Sequence, residues 1–115
     1  MQGPEGHVLE DILGVARDID ELIDYQKDAV VSKMLLTKAT GNVTLFAFDG
    51  EGLSEHSAPF DALVVGLDGE GIVQIDGNPN TISRGMAIVM PANTPHAVIV
   101  DPGKQFKMLL VMIKS

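Results

Sequence analysis

Two histidines, His56 and His96, are the side chains in this 115-residue chain best suited to chemistry. Imidazole is the commonest metal ligand and the group that titrates nearest neutral pH. The first sits in Gly50-Glu51-Gly52-Leu53-Ser54-Glu55-His56-Ser57-Ala58-Pro59, the second at the end of Gly85-Met86-Ala87-Ile88-Val89-Met90-Pro91-Ala92-Asn93-Thr94-Pro95-His96. Both segments read as short strands, whose side chains alternate between faces. If His56 points inward, Ser54, Ala58, Ala62 and Val64 share its face, provided Pro59 does not shift the phase. His96 shares its face with Val98 and Val100, and Met90 approaches from the preceding strand. The expected pocket is therefore small and apolar, lined by Ser54, Ala58, Ala62, Val64, Met90 and Val98, with two imidazoles able to hold a metal. Alternation turns Glu55 and Asp61 outward, and His7 reads as a surface residue of the N-terminal arm. The methionines, Met108 and Met112 among them, read as adaptable core filler rather than thioether ligands.

These residues need a frame to bring them together. From His7 to about Tyr25, apolar residues at Val8, Ile12, Val15, Ile19 and Leu22 recur every three to four positions, which predicts short helical segments that Gly14 could split. From Ala29 onward the period becomes two. Strands are expected at 29–36, 43–48, 53–58, 62–67, 71–75, 81–83, 86–90, 96–100 and 106–113, divided by Gly, Pro, Asn and Asp. Asp68-Gly69 reads as a two-residue hairpin turn, and Asp76-Gly77 opens a turn prolonged through Asn78-Pro79-Asn80. Many short strands at even spacing predict an all-β fold, a small antiparallel barrel over 29–115 with a partly helical arm over 1–28.

Composition narrows the function classes. Eight Lys+Arg against 16 Asp+Glu give a net charge of −8, which disfavours phosphate backbones and anionic membranes as partners. The absence of Cys removes thiolate chemistry and disulfides. No apolar run approaches membrane-spanning length and no secretory leader is visible, so a cytoplasmic protein is expected. The glycine-rich turns lack the helix and the Gly-Lys-Ser/Thr ending of a phosphate loop. No Ser-His-Asp arrangement can be read.

The two histidine segments resemble the paired motifs of the cupin superfamily. In the first motif, Gly50 and Gly69 match the end glycines and His56 the first histidine. The second histidine position falls on Ala58 and the glutamate on Ala62. In the second motif Gly85, Pro91 and His96 match, Asn93 takes a glycine position, and Val100 replaces the final Asn. The resemblance implies a jelly-roll barrel, usually dimeric. It also implies a metal site reduced from three His and one Glu to His56 and His96. Alanine has no donor atom, so the site is expected to hold zinc, nickel, copper, iron(II) or manganese weakly, or no metal at all.

Two functions follow. One is a pocket that binds a small molecule, with or without a weakly held divalent metal. The other is a metal-dependent oxygenase, isomerase or lyase using His56 and His96 as ligands, for which no general acid or base can be named. No catalytic residue is assigned. A homodimer is expected, because the arm's apolar stripe and long edge strands need cover.

Overall fold

A computed structural model describes residues 6–114; the remaining ends of the expected arm and barrel lie outside the described residues. Nine strands follow in chain order: β1 His7–Val8, β2 Val30–Lys38, β3 Gly41–Asp49, β4 Leu53–His56, β5 Asp61–Ile75, β6 Asn78–Ser83, β7 Ala87–Met90, β8 His96–Ile99 and β9 Gln105–Ile113. All pairings are antiparallel. One sheet runs β1-β2-β3-β9-β5-β7, the other β6-β5-β8-β4. β5 belongs to both, and its bend makes the corner of the jelly roll.

That bend corrects the expected hairpin at Asp68-Gly69. The chain does not reverse there: β5 continues from Asp61 to Ile75, and its register against β9 slips between Gly66 and Asp68. Gly69 has φ +66, and any Cβ on it would run into the Gln105 carbonyl. An Asp-Gly pair serves a bulge as readily as a turn, since both want a left-handed residue. The reversal comes instead at Asp76-Gly77, both with positive φ, where Ile75 pairs with Asn78. Asn78, Pro79 and Asn80 are already in β6.

Alternation along the strands then places the core. Phe48, Val64, Val73 and Phe106 are wholly buried between the two sheets, with Phe48 and Phe106 rings 5.9 Å apart. Leu45 and Ala47 face the other way, on the outside of the larger sheet, and are just as buried. The arm covers them.

Among its described residues the arm has no α-helix. It holds β1 and two 3-10 turns, Glu10–Ile12 and Ile19–Leu22. Gly14, at φ +71, breaks the run, and β-branched residues weaken helix propensity on both sides of it. The apolar spacing was a packing signal all the same: Ile12, Ile19, Leu22 and Ile23 cluster with Leu35, Leu45 and Leu109 of the chain's own barrel. Polar contacts fix the arm. Lys33 Nζ donates to the Leu22 carbonyl at 2.9 Å, Lys107 Nζ to the Asp20 carbonyl at 2.9 Å and to Asp20 Oδ1 at 3.1 Å, and Tyr25 OH to Asp68 Oδ2. Lys107, 6 % exposed, also lies 4.9 Å from the Tyr25 ring centroid, so its buried charge is compensated on two sides.

Candidate functional site

β4 and β8 bring the two histidines into register, His56 opposite His96. The alignment depends on an irregularity, because Leu53 pairs with Val98 and the register shifts before His56. The extra residue turns Leu53 and His56 to the same side and Ser54 to solvent. Ser54 therefore does not line the pocket as alternation predicts; Leu53 does. Ser54 contributes its backbone instead, accepting a hydrogen bond from His56 Nδ1 at 3.0 Å.

His96 repeats that arrangement. Its Nδ1 faces the Thr94 carbonyl at 3.2 Å, again two residues upstream. A carbonyl only accepts, so each Nδ1 carries a proton, and in a neutral ring the Nε2 is then the atom with the free lone pair. The two Nε2 atoms lie 3.2 Å apart, with ring centroids at 4.4 Å and planes at 72°. His96 is 6 % exposed, and burial, followed by the neighbouring His56, pushes its pKa below the ordinary imidazole value, against the opposing pull of the Thr94 carbonyl. The neutral form of His96 is thus favoured, so its Nε2 offers a lone pair toward His56 Nε2.

The loop before His96 is pinned to the strand after His56. Ala92 N–H donates to Asp61 Oδ1 at 2.8 Å, and Asn93 N–H to the Ala58 carbonyl at 2.7 Å. Asn93 has φ 62, the left-handed conformation that its glycine-like place in the motif implies. Asp61 faces outward as alternation requires, yet it anchors the loop that delivers His96.

Buried His96 and exposed His56 both line a cavity of about 100 Å³ between the sheets. Ala58, Ala62, Met90 and Val98 line it, while Val64 is packed in the core and Ser54 lies outside. Phe46, Phe60 and Leu110 complete an apolar wall. Met108 and Met112 also line it, although the sequence reading gave them to the core. Alternation along β9 from Phe106 would have put both on the inner face. Among the described residues no three His, Asp or Glu side chains converge as a metal-holding group. Glu55 and His7 are exposed, and His7 pairs with Thr37 at the far edge.

The donor set can still be tested against a metal. Nitrogens 3.2 Å apart suit a shared ion at about 2.0–2.1 Å from each, with an angle near 100° between them. The backbone acceptors on Nδ1 are the orienting partners that metal-bound imidazoles normally have. Two cis nitrogen ligands fit; an oxygen-donor set does not.

Comparison with known proteins agrees with this architecture. A cupin 2 conserved barrel domain protein from Leptotrichia buccalis is 44 % identical with TM-score 0.82, over 87 % of this chain and 48 % of that one. A conserved protein of unknown function from Streptococcus pyogenes is 33 % identical with TM-score 0.79, over 87 % of each chain. The dimethylsulfoniopropionate lyase DddW of Ruegeria pomeroyi is 36 % identical over 53 residues, which are 46 % of this chain and 35 % of that enzyme. The chain thus spans about half of the Leptotrichia chain and about a third of the lyase. The family model for the cupin domain matches residues 46–112, both histidine segments included, and the chain belongs to the cupin family.

Proposed function

We propose that this protein holds one transition-metal ion on Nε2 of His56 and Nε2 of His96, beside a cavity that admits a small, largely apolar ligand. The observation that carries the reading is the 3.2 Å pair of Nε2 atoms with both Nδ1 protons committed to backbone carbonyls. Two Nε2 lone pairs so placed would repel, and either a proton on one ring or a metal cation held by both relieves that repulsion. A bound metal would act there as a Lewis acid toward a ligand donor atom. The chain's own contribution is orientation and an apolar wall. The Ser54 and Thr94 carbonyls hold the rings, Asp61 holds the loop of His96, and Phe46, Phe60 and Leu110 keep the cavity apolar. Its size, about 100 Å³, falls below the roughly 300–1,000 Å³ of drug-sized sites. The ligand is accordingly one of a few heavy atoms.

A second reading, a metal-dependent lyase, draws on the partial likeness to DddW. Ala58 and Ala62 supply no proton-transfer group, so a base would have to come from the ligand or from bound water. The first experiment is elemental analysis of tag-free protein beside His56→Ala and His96→Ala. One metal ion per chain, absent from both variants, is the expected result. Failure to take up zinc, nickel, manganese, iron(II) or copper would defeat the reading and leave a plain apolar pocket, to be probed by ligand-induced thermal shift. Consumption of dimethylsulfoniopropionate by the loaded protein, lost in both variants, would establish the lyase.

A further inference from the structure

The side chains that line the cavity hold donor atoms beyond the two imidazoles, and all of these are thioether sulfurs. Met90, Met108 and Met112 line it with His56 and His96, and its other wall residues are hydrocarbon. Their placement follows from the sheet. Ala62 is in register with Met90 of β7 on one side and with Met112 of β9 on the other. Ala62 is the position where the resemblance to the cupin motif puts a glutamate. The hard carboxylate is therefore absent from the very place that two soft sulfurs flank. Met90 is 5 % exposed and Met108 1 %, so both are withdrawn from water, and the cavity beside them leaves thioether side chains with three rotatable bonds room to reach an ion.

Ligand softness decides which metal such a set prefers. Carboxylate and water favour manganese and magnesium, imidazole suits zinc, copper, iron and nickel, and thioethers select copper(I). The methionines could instead merely fill the volume that a shorter residue at position 62 vacates. Methionine fills irregular gaps well, but leucine supplies similar bulk without sulfur, so replacement by leucine separates filling from ligation. Three thioethers and one imidazole pair lining a single cavity offer a mixed nitrogen–sulfur set.

We infer that His56, His96 and the thioethers of Met90 and Met112 form a copper(I) site, with Met108 as a further sulfur at its inner wall. This rests on the proposal that the histidine pair holds a metal, and adds which metal and through which side chains. No electron transfer is involved: the ion binds as copper(I), and the neutral thioethers and imidazoles release no proton.

The test is an anaerobic titration of the full chain with copper(I) against a competing chromogenic chelator, repeated with zinc(II). Wild type, Met90→Leu/Met112→Leu and His56→Ala are compared. Leucine conserves volume, and a thermal melt checks the fold of each variant. The expected result is one copper(I) per chain, held about tenfold or more weakly in the double methionine variant, with zinc binding unchanged and both metals lost in His56→Ala. X-ray absorption of the wild-type copper(I) complex should show sulfur as well as nitrogen neighbours, a readout independent of any variant's stability. Copper(I) bound through nitrogen alone, with no methionine dependence, overturns this inference and leaves the two-histidine metal site standing. Binding of no metal overturns both.

Discussion

At the scale of single residues, the site depends on backbone as much as on side chains. Asn93 holds φ 62 while its N–H donates to the Ala58 carbonyl, which ties the His96 loop to the strand following His56. A left-handed residue costs about 1–2 kcal/mol for side chains other than Gly, Asn or Asp. Asn93→Gly is therefore expected to leave the denaturation midpoint nearly unchanged, and Asn93→Val to lower stability by about 1–2 kcal/mol. Chemical denaturation followed by circular dichroism compares them; equal midpoints would mean that the loop does not need this conformation. The sequence carried this much openly, because Asn stands where the cupin motif has glycine. It also carried both histidines. It did not carry the outward turn of Ser54, since a strand irregularity of one residue leaves no local mark and inverts the alternation on which the inward assignment rested. Nor did it separate Met108 and Met112 from the general core, because a cavity wall and a packed core use the same apolar residues.

In the N-terminal arm the apolar spacing marks a buried face, and the short segments on either side of Gly14 are 3-10 turns rather than α-helix. Spacing of three to four residues marks the side of a segment that is buried, and 3-10 turns can meet that demand as a helix does. Two of the contacts that hold the arm down come from residues 43 or more positions away: Asp68 for Tyr25, Lys107 for Asp20. Tyr25 reports on this latch, for it is the single tyrosine in a chain without tryptophan. Burial first, then its hydrogen bond to Asp68 and the charges of Asp68, Asp20 and Asp49, raise its pKa well above the ordinary value near 10. The folded arm thus favours the neutral phenol. That contribution is fully present below about pH 10, where the unfolded phenol is also protonated, and is lost as pH rises toward the folded value. In an alkaline titration, phenolate absorbance at 295 nm is expected to appear only together with loss of the β-sheet circular dichroism signal. Asp68→Asn should bring ionisation to lower pH, though still above the ordinary value, since burial remains. A wild-type tyrosine ionising near pH 10 in folded protein would show that the arm does not seal it.

For the whole molecule, the arm covers only part of the larger sheet's outer face. Beyond it runs a continuous cross-strand row, Leu36, Val43, Val111, Leu63 and Val89, each in register with the next across β2, β3, β9, β5 and β7. Leu36 is 37 % exposed, Leu63 38 % and Val89 52 %, with Ile113 at 56 % in the flanking row. A contiguous apolar band of this kind on a chain carrying net charge −8 is the part of its surface suited to association. The arm's stripe, one of the two grounds for expecting a homodimer beside the long edge strands, is covered by the chain's own barrel; this row is the apolar surface that a second copy would cover. The flanking row ends in Lys38 on β2 and Asp61 on β5. A two-fold axis between them would set the cation of each copy near the carboxylate of the other, which favours a second copy of the chain over an unlike partner. Sedimentation velocity is expected to give twice the 12.2 kDa chain mass. Leu63→Lys/Val89→Lys should convert it to monomer and leave the circular dichroism spectrum and the metal content unchanged, because both residues point away from the cavity. A wild-type monomer at high micromolar concentration would rule out self-association through this face. A dimer that survives both lysines would place the interface elsewhere, and the row would need another occupant.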